Sequence, residues 1–331
     1  MREPAAAAHR KLLLGLIGAG IQRSLTPAMQ EEEARAHGLK LHYQLIDLDL
    51  SGAGVAALPT LISAARWMGF AGLNITYPCK QAVIPLLDEL SEEARAIGAV
   101  NTIVNRGGKL IGHNTDGSGW AWGFRRALPG ADLSQVVLLG AGGAGSAIAH
   151  AVLRLGAARL VIVDREEARA HELAQRLNAE HGPGARAQGA ASGASGASSA
   201  SGTSSAPRVS AGSDPAAALR GATGLIHATP TGMDKFPGLP LPEDLLRPDL
   251  WVAEIVYFPI ETALLKAARA RGCATLDGGT MAVGQAIGAF ELFTGRQADP
   301  ARVEVHFRRL IAPLSAPRAG PRPARPPRGV K

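Results

Sequence analysis

Short unbroken apolar runs alternate with longer segments whose apolar residues recur at helical spacing along most of the 331-residue chain, a pattern of strands covered by helices. Leu12 to Ile17 reads as a strand that turns into a helix. Strand-like Leu41 to Leu48, a helix over Val55 to Met68 and a strand over Leu73 to Tyr77 continue this unit. A second series follows, with strands over Val136 to Leu139 and Leu160 to Val163, each leading into a helix (Ala144 to Leu155, Glu166 to Glu180). Trp251 to Tyr257 then predicts a strand, Ile260 to Arg271 a helix and Thr280 to Phe293 a final helix. The expected fold is α/β: an N-terminal α/β unit, a C-terminal α/β unit and a cleft between them.

The turn between the first strand and helix of the second unit is Gly140-Ala141-Gly142-Gly143-Ala144-Gly145. Glycines at this spacing let the backbone turn sharply and approach a pyrophosphate, whose charge then lies at the positive end of the helix. Asp164 closes the next strand, where a carboxylate binds a ribose 2′-hydroxyl and repels a 2′-phosphate. The C-terminal unit therefore reads as a Rossmann domain with NAD as cofactor, and NADP used less well. A similar stretch, Gly18-Ala19-Gly20, has Arg23 where a third glycine would fall and reads as a strand-end turn.

Composition changes this picture little. Hydrophobic residues make up 46% of the chain, enough for two cores. Met1 to Lys11 carries no apolar stretch leading to a cleavage site, and the apolar runs stop well short of a membrane span. Cys79 and Cys273 are far apart and have no histidine at ligand spacing, so neither a disulfide nor a structural metal is expected, and the location expected is the cytoplasm. The net charge of +7 suggests nucleic acid until it is located: Arg318, Arg322, Arg325, Arg328 and Lys331 supply five positive charges in a tail without an acid. That tail has no aromatic residue to stack on a base and reads as a solvated end rather than a binding arm. Gly182 to Ser213, almost all Gly, Ala and Ser, reads as a flexible insertion inside the second unit.

Polar residues collect where the cleft is expected. In Asn74-Ile75-Thr76-Tyr77-Pro78-Cys79-Lys80, strand alternation puts Leu73, Ile75 and Tyr77 on one face and Asn74 and Thr76 on the other. Lys80 falls at the start of the following helix, where it opposes the dipole, although this stretch alone is equally compatible with a solvated lysine. Asn101 lies on a short strand, Asn114 and Asp116 in a turn, and Ser24 and Thr26 at a helix start, where Thr26 before Pro27 also suits a cap.

These stretches, with Gly98-Ala99-Val100-Asn101-Thr102, Asn114-Thr115-Asp116-Gly117 and Asp277-Gly278-Gly279-Thr280-Met281, closely resemble the shikimate dehydrogenases, and among them the bacterial NAD-dependent quinate/shikimate dehydrogenases. The resemblance runs from about Leu13 to Leu310, omitting the insertion and the tail. It implies Lys80 and Asp116 as the catalytic pair, with Ser24, Thr26, Thr76, Asn101, Tyr257 and Gln285 on the substrate. It implies Gly140, Gly142, Gly143, Ala144, Gly145, Asp164, Arg169, Thr229, Ile255 and Gly278 on the dinucleotide.

By the resemblance, residues 1–118 form the substrate-binding domain and 119–277 the Rossmann domain, with 182–213 inserted. Residues 278–312 form helices packing back on the substrate domain, and 313–331 a disordered tail. The implied activity is reversible oxidation of quinate and shikimate to 3-dehydroquinate and 3-dehydroshikimate, by a monomer or homodimer that binds no nucleic acid and no membrane. The alternatives are an NADP-dependent biosynthetic shikimate dehydrogenase, an aminoshikimate-pathway relative, or a non-catalytic NAD-sensing regulator. Shikimate-specific members resemble Ser-x-Ser-Pro where this chain has Ser24-Leu25-Thr26-Pro27. Two departures stand out: His227 replaces a usual asparagine, and Asp164 replaces the asparagine that helps grip the 2′-phosphate in NADP-using members, although Arg165 remains.

Overall fold

The computed structural model describes residues 11–181 and 208–315. The expectations for Met1 to Arg10, for most of the 182–213 insertion and for the tail beyond 315 lie outside the described residues. The first sheet contains β1 (Leu12–Gly18), β2 (Leu41–Asp47), β3 (Gly72–Ile75), β4 (Glu89–Leu90), β5 (Thr102–Arg106) and β6 (Lys109–His113), in the order β2-β1-β3-β5-β6-β4. Its β2-β1-β3 half is parallel, and β5 runs antiparallel to both β3 and β6. Helices α1 (Thr26–Ala36), α2 (Leu48–Ser51), α3 (Leu58–Trp67), α4 (Glu92–Ile97) and α5 (Asp116–Ala127) belong to this half of the chain.

The second sheet is parallel throughout. It orders β7 (Gln135–Leu139), β8 (Arg159–Val163), β9 (Val209–Gly212), β10 (Gly224–His227), β11 (Trp251–Glu254) and β12 (Thr275–Leu276) as β12-β11-β10-β7-β8-β9. Its helices are α6 (Gly143–Arg154), α7 (Glu167–His181), α8 (Pro215–Leu219) and α9 (Ala263–Ala270), followed by α10 (Gly278–Thr294) and α11 (Pro300–Ser315). Both faces are covered: Val136 and Leu138 enter one core and Val137 and Leu139 the other, which is why β7 reads as an unbroken apolar run. The chain leaves β7 for β8 on one side and finds β10 on the other, so the strand order reverses at the carboxyl end of β7. Ligands of open α/β sheets bind at that crevice.

Several sequence expectations shift. Residues 209–212 of the expected insertion form edge strand β9, held by Asn178 of α7, whose side chain bonds both the N–H and the C=O of Val209 (3.0 and 2.7 Å). Thr280 to Phe293 is not the last helix, because α11 follows it. Strand β3 stops at Ile75 rather than Tyr77: Cys79 N–H closes a turn on Thr76 C=O (2.8 Å), and Tyr77 is 77% exposed instead of packing with Leu73 and Ile75. Asn74 does not face the cleft, since Tyr43 donates to its amide (2.7 Å) and it donates to Thr102 Oγ1 (3.0 Å).

Helix α5 crosses α10 with almost nothing between the two backbones. A Cβ on Gly119 would lie 2.4 Å from Gln285 N, and one on Gly284 would lie 2.4 Å from Gly119 O. Two residues earlier, on the opposite side of α5, a Cβ on Gly117 would lie 2.8 Å from Ala147 O of α6. Gln30 of α1 donates to Ala286 C=O (2.9 Å) and Glu33 pairs with Arg302 (2.7 Å), so α10 and α11 are tied back to the N-terminal half. No helix among the described residues is long and apolar enough to cross a membrane.

His150, on α6, is buried against the end of α7, with Nδ1 3.2 Å from His181 Nε2 and 3.5 Å from Glu180 Oε2. Burial first, and then the charges of His181, Arg154 and Arg176, push its pKa down to about 4. The unfolded ring titrates near 6.5, so the unfolded state takes up a proton first and stability falls as pH drops from that value toward 4. The loss is at most about 3 kcal/mol. Denaturation midpoints at pH 7 and pH 4.5 should show a shallower pH dependence in His150→Gln than in the wild type; equal slopes would remove His150 from the acid response.

Candidate active site

Lys80 and Asp116 form an ion pair across the cleft, with side chains 20% and 6% exposed. Lys80 sits in the turn after β3, not at a helix start, so the dipole argument for it lapses. Asp116 is the first residue of α5, where a carboxylate is favoured. Its second oxygen accepts from Asn101 Nδ2 (2.8 Å), and its own N–H is taken by Asn114 Oδ1 (3.0 Å). Asn101 precedes β5 instead of lying on it; its Nδ2 also reaches Thr115 Oγ1 (3.0 Å), while its Oδ1 accepts from Thr115 N–H (2.8 Å). The carboxylate orientation is therefore fixed by groups that are themselves buried and bonded. Asn114 and Thr115 belong to this support, and their signal in the sequence was only the polar cluster before Asp116.

The glycine turn abuts this pair. A Cβ on Gly143 would stand 3.8 Å from Lys80 Cδ, and one on Gly142 would meet nothing within 4 Å, leaving open space before α6. Gly140 adopts φ +103°, and a Cβ on Gly145 would lie 2.0 Å from Gly140 O, so the turn closes on itself with no room for a side chain at either of these two positions. Asp164 Oδ2 accepts from Ala141 N–H (2.7 Å) and Oδ1 from Glu166 N–H (2.9 Å), placing the carboxylate at the rim with lone pairs to spare. Arg169 turns to Glu166 (2.8 Å), and no contact of its side chain reaches the turn. In the earlier turn, Asp47 already takes the N–H groups of Gly20 and Ile21 (2.9 and 3.1 Å), which a phosphate would need.

The remaining candidate residues lie at the start of α1, after β3, on α10 and in the loops after β10 and β11. Thr26 is the first residue of α1; Leu25, not Thr26, occupies the cap position, and the Thr26 hydroxyl makes no hydrogen bond among the described residues. Ser24 accepts from Thr26 N–H (3.3 Å), and Leu25 packs in one cluster with Tyr257 and Ala282. Gln285 Nε2 bonds Ala282 C=O (3.0 Å), and its backbone carbonyl accepts from Thr115 Oγ1 (3.1 Å), which ties α10 to the residue before Asp116. Burial pushes the Tyr257 phenol up. Thr76 follows β3, with its N–H on Ile17 C=O (3.0 Å). A Cβ on Gly278 would strike the carbonyls of Ile255 and Val256 at 2.4 and 2.5 Å, so α10 begins directly under that loop. Thr229 lies at the start of the loop after β10, and a Cβ on Gly140 would reach its methyl at 3.1 Å.

Away from the cleft, His150, Glu180 and His181 place ligand-type atoms within 4.8 Å of one another. Arg154, Arg176 and Arg208 direct positive charge at these histidines and oppose a cation there.

Residues 16–103 match the shikimate dehydrogenase substrate-binding domain, and 125–184 match the shikimate/quinate 5-dehydrogenase family. A shikimate dehydrogenase (NADP(+)) of Streptomyces avermitilis is 53% identical over 88% of this chain and 93% of its own. The chain belongs to the shikimate dehydrogenase family. Another member, a quinate/shikimate dehydrogenase (NAD(+)) of Corynebacterium glutamicum, is 46% identical over 89% of this chain and 98% of its own. The solved quinate dehydrogenase from Corynebacterium glutamicum in complex with NAD superposes with a TM-score of 0.77 at 43% identity, covering 90% of this chain and 99% of that one. The two-sheet α/β architecture with a C-terminal Rossmann-like half is thus that of the shikimate dehydrogenases, and the chain is an oxidoreductase of this family using a nicotinamide cofactor. Relatives of both cofactor types lie at similar distance.

Proposed function

We propose that the chain oxidises quinate and shikimate at a ring hydroxyl with NAD as the preferred hydride acceptor. The observation that carries this reading is the Lys80–Asp116 pair standing against Gly143 of the dinucleotide turn. The open space at Gly142 and the carboxylate of Asp164 at the rim fit a dinucleotide; Gly140 to Gly145 would face its pyrophosphate and Asp164 its ribose. When bound, the nicotinamide supplies the site that accepts hydride. Lys80 Nζ, in its neutral form, takes the proton of the reacting hydroxyl, and Asp116 orients the amine and accepts a neighbouring hydroxyl. Asn101 keeps Asp116 in that orientation. Ser24, Thr26, Thr76, Gln285 and Tyr257 supply short polar groups around a polyhydroxylated ring, each of whose buried hydroxyls needs a partner. In this reading residues 1–118 hold substrate, 119–277 hold the dinucleotide and 278–312 close the substrate side.

Mixing the purified protein with quinate and NAD and following NADH absorbance tests the activity; no turnover with quinate or shikimate would reject it. The cofactor preference rests on charge repulsion at Asp164, and kcat/KM with NAD should exceed that with NADP by about tenfold or more, about 1.4 kcal/mol. Asp164→Asn should narrow the gap, because exposed Arg165 can then meet the phosphate. Equal efficiencies in the wild type would favour the NADP-dependent biosynthetic reading, which the Streptomyces relative supports.

Substrate breadth is assigned to Thr26, whose hydroxyl is free. One methyl beside the carbon that bears carboxylate and hydroxyl in quinate is worth about 1–3 kcal/mol. Thr26→Ser should therefore lower the quinate-to-shikimate ratio of kcat/KM. A rise in that ratio would separate Thr26 from the choice of acid.

A further inference from the structure

Beneath the loops that end β10 and β11 lies a chain of hydrogen bonds that proton transfer at Lys80 does not use. His227 and Glu254 both have fully buried side chains, with imidazole Nδ1 2.8 Å from Glu254 Oε1. The same Oε1 accepts from the N–H groups of Ile255 (2.9 Å) and Val256 (3.0 Å), and Oε2 accepts from Thr262 Oγ1 (3.0 Å). On the other edge of the ring, Nε2 is 2.5 Å from Thr229 Oγ1, which also accepts from Thr231 N–H (3.3 Å). Directions follow from the donors present: Thr231 N–H gives to Thr229, the Thr229 hydroxyl to Nε2, and Nδ1–H to the carboxylate. One buried side chain thus couples two loops. The loop carrying Thr229 leans on Gly140 of the dinucleotide turn, and the loop carrying Ile255 and Val256 rests on Gly278.

We propose that His227 is a positioning residue for the nicotinamide half of the dinucleotide, holding Thr229 at a fixed distance from the Ile255–Val256 loop through Glu254. The proposal rests on the reading that this cleft binds a nicotinamide dinucleotide. It distinguishes the two halves of that ligand: Asp164 and the glycines from Gly142 to Gly145 make no hydrogen bond to this chain of bonds, whereas Thr229 and the Ile255–Val256 loop, assigned to the ring end, are joined by it. An asparagine at 227 has an amide that takes the place of Nδ1 on Glu254 but is too short to reach Thr229 as well. The link between the loops is therefore a property of the imidazole.

The test compares NADH with ADP-ribose, which lacks the nicotinamide, by fluorescence or calorimetric titration of the full chain. His227→Phe and Thr229→Val should each weaken NADH about tenfold and lower kcat, with ADP-ribose binding and the KM for shikimate moving less than twofold. The double variant should be no worse than the weaker single one, because both break the same chain. If His227→Phe fails to fold, His227→Asn takes its place, with the same direction expected. Unchanged NADH affinity, equal loss of ADP-ribose, or additive losses in the double variant would overturn the proposal. A wild type that binds no ADP-ribose would instead sink the dinucleotide reading, and the proposal with it.

Discussion

Lys80→Ala should lower kcat about a hundredfold or more while the affinity for NADH stays within about threefold of the wild type. The amine is the only cationic group placed on Asp116 among the described residues, and oxidation of an alcohol stalls if nothing receives its proton. Binding should survive because the glycine turn is held by its own bonds, Gly140 N–H on Val163 C=O and Ala141 N–H on Asp164, and Lys80 contributes only a flank beside Gly143. Lys80→Arg should not restore turnover, since a guanidinium stays protonated and cannot act as acceptor. Asp116→Ala should injure both kcat and the KM for the hydroxy acid, because that carboxylate has two tasks. Steady-state rates paired with NADH titrations decide the matter. Near-normal turnover in Lys80→Ala would remove the lysine from the mechanism.

Gly119→Val should destabilise the protein by about 3 kcal/mol or more, measured as a lower denaturant midpoint with an unchanged slope. The added carbons would enter the space of Gln285 N and the Gly284 carbonyl carbon at 2.4 and 2.7 Å, and these are backbone atoms that no rotamer change can move aside. Activity should fall with stability, because α5 carries Asp116 at its tip and α10 carries Gln285. Gly130→Ala is a poor control because Gly130 has a positive φ (+82°). Ser118→Ala, one residue before Gly119 on the same helix, tests whether the effect is specific, since the Ser118 hydroxyl makes only one weak bond, to Thr115 C=O (3.4 Å). A Gly119→Val protein with wild-type stability would show that the two helices separate freely.

The order of strands and helices was legible because a parallel sheet covered on both faces leaves unbroken apolar runs, as in Val136 to Leu139. The glycine turn was legible for a similar reason: a backbone that must close on Gly140 O tolerates few residue types. Edge strand β9 escaped notice because Val209-Ser210-Ala211-Gly212 has no apolar run of its own and is recruited by Asn178 and by pairing with β8. The end of β3 was misplaced because alternation alone does not locate a turn; alternation did put Asn74 on the face opposite Leu73 and Ile75, but its partner there, Tyr43, lies 31 residues away and leaves no local signal. The bonds from Asn101 to Asp116 and from His227 to Glu254 span 15 and 27 residues, and no local pattern encodes them. Glu254 nevertheless left a trace, as the acid closing an otherwise apolar strand.

Helix α5 touches α6 at Gly117 and α10 at Gly119, with backbone lying on backbone at both places. The tip of the same helix carries Asp116, the partner of Lys80, while α6 begins at the glycine turn. The ion pair and the turn are thereby referenced to one helix through contacts of backbone on backbone. Laboratory evolution toward new cyclic alcohols can then vary Thr26, as long as Gly117, Gly119 and Gly284 remain bare.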